Sequence, residues 1–79
     1  MMDRSEIFDK VAMLIAETLE VDADELTETT SFNDLGADSF DMLELVTAME
    51  DEFEVTVDED GLGEIETIGD AIDVILKAQ

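Results

Sequence analysis

The segment Leu35-Gly36-Ala37-Asp38-Ser39-Phe40-Asp41 holds the residues best placed to do chemistry. Gly36 permits a sharp turn, Asp38 is a good helix N-cap, and Ser39 then falls in the first helical turn. A hydroxyl there sits near backbone N–H groups without an intrahelical partner and near the positive end of the helix dipole. A phosphate ester on Ser39 is favoured by that helix end and opposed by the like charges of Asp38 and Asp41. The same two acids could help a modifying enzyme hold Mg²⁺ beside a reacting phosphate. Taken alone, Asp-Ser reads first as an ordinary helix start.

Other chemistries fail on missing parts. A serine nucleophile needs a base, and the chain has no His, while Lys10 and Lys77 lie towards its two ends. Carboxylate pairs are abundant but unspecific, and so small a chain has no room for a sugar cleft. Asp58-Glu59-Asp60-Gly61 resembles part of a calcium-binding EF-hand loop. With Gly61 at loop position six, however, positions one and twelve are Thr56 and Thr67, so the required Asp and bidentate Glu are missing. With neither Cys nor His there is no disulfide, no thiol nucleophile and no zinc site of the usual types. No catalytic residue and no metal ligand set is assigned.

The surrounding composition narrows the partners. Of 79 residues, 24 are Asp or Glu and three are Lys or Arg, for a net charge of -21. Nucleic acid and anionic membranes are poor partners for such a chain. Arg4, Lys10 and Lys77 are the cations, so no positive side chain lies between residues 11 and 76. The ends balance, with Asp3, Glu6 and Asp9 against the three bases, and the whole net charge belongs to the middle. Hydrophobic residues still make up 46%, enough for a core in a single domain spanning 1–79. The longest apolar run, Val11 to Ala16, is far short of the roughly 18 residues of a membrane span. Met1-Met2-Asp3-Arg4-Ser5 is no secretory signal, so a cytoplasmic location is expected.

Three helices are predicted to position the segment. Residues 3 to 19 carry an apolar stripe at Ile7, Phe8, Val11, Ala12, Leu14, Ile15 and Leu19, opened by Asp3 and Glu6 at capping-box spacing and ending near Glu20. Residues 20 to 37 form a long polar connection, pinned to the core by Leu26, Phe32 and Leu35, with a short helical turn near Ala23 to Leu26. Residues 38 to 53 place Phe40, Leu43, Val46, Met49 and Phe53 on one stripe, widened by Met42 and Leu45. Residues 55 to 57 read as extended loop, and Gly61 and Gly63 weaken any helix between 58 and 65 by about 1 kcal/mol each. A last helix runs from about Ile68 to Lys77 behind a Thr67/Asp70 capping box. The fold class is all-α, a small bundle with a long first connection.

With these elements in place, the chain resembles the acyl carrier proteins. The likeness is densest in Asp34-Leu35-Gly36-Ala37-Asp38-Ser39, running into Asp41, Glu44-Leu45-Val46 and Glu50-Asp51-Glu52-Phe53. Val21-Asp22, Leu26-Thr27 and Thr67-Ile68-Gly69-Asp70-Ala71-Ile72 extend it over almost the whole chain. The resemblance implies a four-helix bundle of three long helices and one short. It implies a 4′-phosphopantetheine arm on Ser39, added from coenzyme A by a phosphopantetheinyl transferase and carrying acyl groups as thioesters. It further implies docking of Asp38, Asp41, Glu44, Glu50 and Asp51 onto basic patches of fatty-acid or polyketide synthesis enzymes. An interior that shelters the acyl chain would draw on Phe40, Leu43, Val46, Ile65 and Ile75. The chain would act as a non-catalytic, monomeric carrier.

Some positions depart from the family pattern. Phe40 replaces the usual Leu, as in D-alanyl and some peptidyl carriers. Asp58 stands where many members have Pro, Glu20 occupies a frequent Gly position, and the connection before Asp34 is one residue short. Two rival readings follow: a carrier of D-alanine or another aminoacyl or peptidyl group, and an acidic calcium-binding or interaction module. Because so few cations offset the acids, added salt and Mg²⁺ should raise the melting temperature. A melting temperature indifferent to both would contradict this.

Overall fold

The computed structural model describes residues 2–79, which fold into four α-helices and one 3₁₀ turn within 27 × 24 × 20 Å. Helix α1 spans Arg4–Leu19, the 3₁₀ turn Ala23–Glu25, α2 Ser39–Phe53, α3 Glu59–Gly63 and α4 Ile68–Ala78. The predicted boundaries of α1, α2 and α4 match to within about a residue. The helical turn in the long connection is present. The short α3 forms despite its two glycines, with Asp58 as its cap: the side chain accepts the Gly61 N–H at 2.8 Å.

Helix α1 packs against both α2 and α4. The core is Ile7, Val11 and Ile15 of α1, Leu45 and Met49 of α2, and Ile68, Ile72 and Ile75 of α4. Leu26 and Phe32 close it from the long connection, with Leu35 partly buried against it. The connection is held by backbone as well as by side chains. Phe32 N–H donates to Glu66 O at 3.0 Å, Ile68 N–H to Thr30 O at 3.0 Å and Gly69 N–H to Glu28 O at 2.8 Å. Residue 69 must be small for this approach, because a Cβ there would lie 3.0 Å from Glu28 O.

The stripe of α2 is turned relative to expectation. Leu45, Val46 and Met49 are buried and Met42 and Phe53 pack against the core, whereas Phe40 and Leu43 are 67% and 57% exposed. Apolar residues cover much of this helix, so a spacing of three or four fits two neighbouring faces. Contact with α1 decides between them in favour of the face bearing Leu45.

Helix starts are satisfied by short polar side chains. Asp3, Asp22, Asp38, Asp58 and Thr67 each accept a backbone N–H two or three residues on. The Asp70 carboxylate returns bonds to the N–H groups of Thr67 and Glu66, both at 3.0 Å, which hold it below the usual carboxylate range. A carboxylate lowered in this way stabilises the fold above its unfolded pKa, and the contribution disappears as pH falls through the folded one.

Helix ends are less well served. Glu20 and Glu54 follow α1 and α2 with φ of 57° and 54°, the left-handed region that crowds any Cβ. Glu20→Gly and Glu54→Gly should each stabilise the fold by about 0.5–1 kcal/mol, the relieved strain exceeding the entropy that glycine adds to the unfolded chain. Urea unfolding checks this. The corresponding Ala variants should give no comparable gain, because their Cβ remains.

Candidate functional site

A tight turn delivers the chain to α2. Leu35 and Ala37 N–H donate to Phe32 O, both at 3.1 Å, and Gly36 N–H to Asn33 O at 3.0 Å. Gly36 takes φ of 79°, which redirects the backbone into the extended Asp38. Asp38 and Asp41 then close a reciprocal capping box. Asp41 N–H donates to Asp38 Oδ1 at 2.8 Å, and Asp38 N–H donates to Asp41 Oδ2 at 3.3 Å.

Ser39 is the first residue of α2 and is exposed. The box satisfies the Asp41 amide, and Asp38 O accepts from Met42 N–H at 2.9 Å. The Ser39 and Phe40 amides keep no acceptor among the described residues. They point the positive end of a 15-residue helix at whatever anion the hydroxyl bears. Among the described residues neither lysine nor arginine serves this hydroxyl: Arg4 and Lys10 are ion-paired elsewhere and Lys77 lies in the last turn of α4.

Beside Ser39 lies an open groove of about 360 Å³ lined by Asn33, Ala37, Asp38, Ser39, Met42, Leu43, Leu62 and Ile65. Of the apolar residues expected around a sheltered acyl chain, Leu43 and Ile65 line this groove. Val46 and Ile75 are buried, at 6% and 0% exposure. Phe40 is not interior. It is exposed and borders a separate shallow groove with Thr18, Leu43, Glu44, Thr47 and Ala48. Met42 and Leu62 are additions to the site. Met42 was legible as part of a broad stripe, whereas Leu62 is masked in the sequence by its flanking glycines.

The acids divide by what else they do. Glu44 and Asp51 are exposed and make no ion pair among the described residues. Asp38 and Asp41 each commit one oxygen to the capping box. Glu50 is half-buried, and its Oε2 accepts Val57 N–H at 2.8 Å. Its carbonyl also accepts from Val55 N–H at 3.2 Å, so Glu50 ties the α2–α3 connection to the end of α2. Asp58, read in the sequence as part of an acidic run, is the α3 cap.

Comparison with known proteins agrees with this arrangement. The family of the phosphopantetheine attachment site matches residues 9–75. An acyl carrier protein of Lactobacillus acidophilus is 46% identical over 79 residues, 99% of either chain. The crystal structure of an acyl carrier protein from Thermotoga maritima superimposes with a TM-score of 0.84 at 30% identity, over 98% of this chain and 91% of that one. An acyl carrier protein from Enterococcus faecalis gives 0.82 at 35% identity, over 99% and 100%.

The differing duties of the acids can be separated by measurement. Glu50→Ala should lower stability by about 1 kcal/mol, because it orphans the half-buried Val57 amide. Glu44→Ala should change it by less than about 0.5 kcal/mol. Denaturant unfolding of both variants gives the comparison, and equal effects would remove the distinction.

Proposed function

This chain belongs to the acyl carrier proteins, non-catalytic carriers of phosphopantetheine, and we propose that Ser39 bears the 4′-phosphopantetheine arm and that the cargo is a fatty-acid or polyketide intermediate. The observation that carries the reading is Ser39 itself, an exposed hydroxyl at a capped helix start with an apolar groove alongside. When bound, the arm supplies the thiol that this Cys-free chain lacks and holds the acyl group on it.

The residues around Ser39 suit the group. The open amides of Ser39 and Phe40 favour the phosphodiester oxygens, offsetting the repulsion from Asp38 and Asp41. The carboxylate oxygens left over from the capping box are available to a metal ion brought by the transferase that takes the arm from coenzyme A. Met42, Leu43, Leu62 and Ile65 offer an apolar surface to the first part of an acyl chain. Val46 and Ile75 are the interior side chains that would repack around a longer one.

Partner enzymes with basic patches would meet Asp38, Asp41, Glu44 and Asp51, with Glu50 adding charge from its fixed position. Phe40, exposed beside Glu44, joins this face as an apolar contact rather than as a cavity wall. Such a face gives fast, salt-sensitive and short-lived encounters between a monomeric carrier and several enzymes in the cytoplasm. Phe40 also favours a second reading, a D-alanyl or other aminoacyl or peptidyl carrier. The apolar lining of the groove supports the acyl reading.

Incubation with coenzyme A and a promiscuous phosphopantetheinyl transferase, read by intact mass, should add one arm to the wild type and none to Ser39→Ala. An unmodified wild type would overturn the proposal. Glu44→Lys should slow acyl transfer to a partner at low salt while leaving the melting temperature within a few degrees, roughly 4–8 °C per kcal/mol for a domain this small.

A further inference from the structure

Arg4 has more partners than any other side chain described. Its Nε and Nη2 donate to Glu28 Oε1 at 2.8 and 2.6 Å, its Nη1 to Asp73 Oδ1 at 2.7 Å, and its Nη2 also to Gly69 O at 3.4 Å. The guanidinium thus joins the start of α1 to the long connection and to α4, 24 and 69 residues away. The two elements it joins are otherwise alike in charge. The connection brings Asp22, Asp24, Glu25 and Glu28, and the approach to α4 and its first turns bring Glu64, Glu66, Asp70 and Asp73. Lys10 is occupied with Glu52 at 3.6 Å, and Lys77 lies at the far end of α4, so among the described residues Arg4 is the cation at this seam.

Three backbone bonds cross the same seam, those donated by Phe32, Ile68 and Gly69. We propose that the Arg4 fork is a salt-sensitive latch. It holds residues 28–32 against the amino end of α4, and its release opens that segment locally, drawing Phe32 from the edge of the core while the contacts of α1 with α2 and α4 stay formed. The ion pairs are about 40–60% exposed, which leaves them open to screening, whereas the apolar contacts of the core are not. The segment continues through Phe32 and Gly36 to Asp38, so its release also loosens the turn that sets Ser39. The latch does not depend on what the serine carries.

Salt has opposite effects on the two kinds of interaction. Screening weakens the attraction of Arg4 for Glu28 and Asp73, and it also relieves repulsion among the acids. The Debye length falls from about 30 Å at 0.01 M to about 3 Å at 1 M, so both effects lie within an ordinary titration. In the wild type the first should dominate at the seam and the second over the whole molecule.

Amide hydrogen exchange by NMR on the full chain separates them, with Phe32, Ile68 and Gly69 as reporters and Ile15 and Met49 as core references. Arg4→Gln should speed exchange at the three reporters about tenfold more than at the references. Arg4→Lys should fall between, since one ammonium cannot reproduce the fork, and it carries the test if Arg4→Gln folds poorly. Raising NaCl from 10 mM to 0.5 M should speed the reporters relative to the references in wild type. In Arg4→Gln, where only repulsion remains to be screened, the same change should slow them. A uniform change at reporters and references, or a wild-type ratio unmoved by salt, would overturn the latch.

Discussion

An excess of like charge without nearby counterions is the condition that every part of this fold has to meet. With three cations for 24 acids, ion pairing cannot hold the structure together. The carboxylates are used instead as acceptors for backbone amides. Four of the five helical segments start on an Asp that takes an N–H of its own first turn. The fifth starts on Thr67, which Asp70 backs from the third position. A negative group at a positive helix end lowers the energy of both, so the surplus becomes part of the secondary structure rather than only a load on it. Among the described residues, the core behind these caps holds no buried polar or charged side chain.

The same economy shapes the site. Asp38 and Asp41 fix the start of α2 and leave Ser39 exposed beside two open amides. They also hold two negative charges beside that hydroxyl. One pair of residues therefore sets both the geometry of the hydroxyl and the electrostatics around it. Glu44 and Asp51 contribute charge with no structural commitment, whereas Glu50 is anchored to Val57. The face thus combines side chains free to reorient with one held in place.

The legible parts of the chain were those written in local spacing. Stripes at three and four residues and the pairs Asp38/Asp41 and Thr67/Asp70 located α1, α2 and α4, and the family likeness carried the four-helix arrangement. What escaped depended on distant contacts. Which face of α2 turns inwards was ambiguous, because apolar side chains occupy more than one face; Phe40 and Leu43 proved exposed and Leu45 buried. Helix α3 was obscured by Gly61 and Gly63, although its cap, Asp58, was in plain view. Gly61 is close to Val57 and Val74, where an added Cβ would sit 3.3–3.4 Å from their methyl groups, so small size there serves packing. The joining of Arg4 to Glu28 and Asp73 spans too much sequence to leave any local trace.

The two left-handed glutamates bear on the history of the chain. Codons for glutamate and glycine differ by a single base, so relief at position 20 or 54 is one point mutation away. Selection acts on whether enough molecules are folded to work, and it is indifferent to surplus beyond that threshold. Both strained ends nevertheless persist. The bundle therefore folds with both strained ends in place, and the stability that glycine would add at either end is left unused.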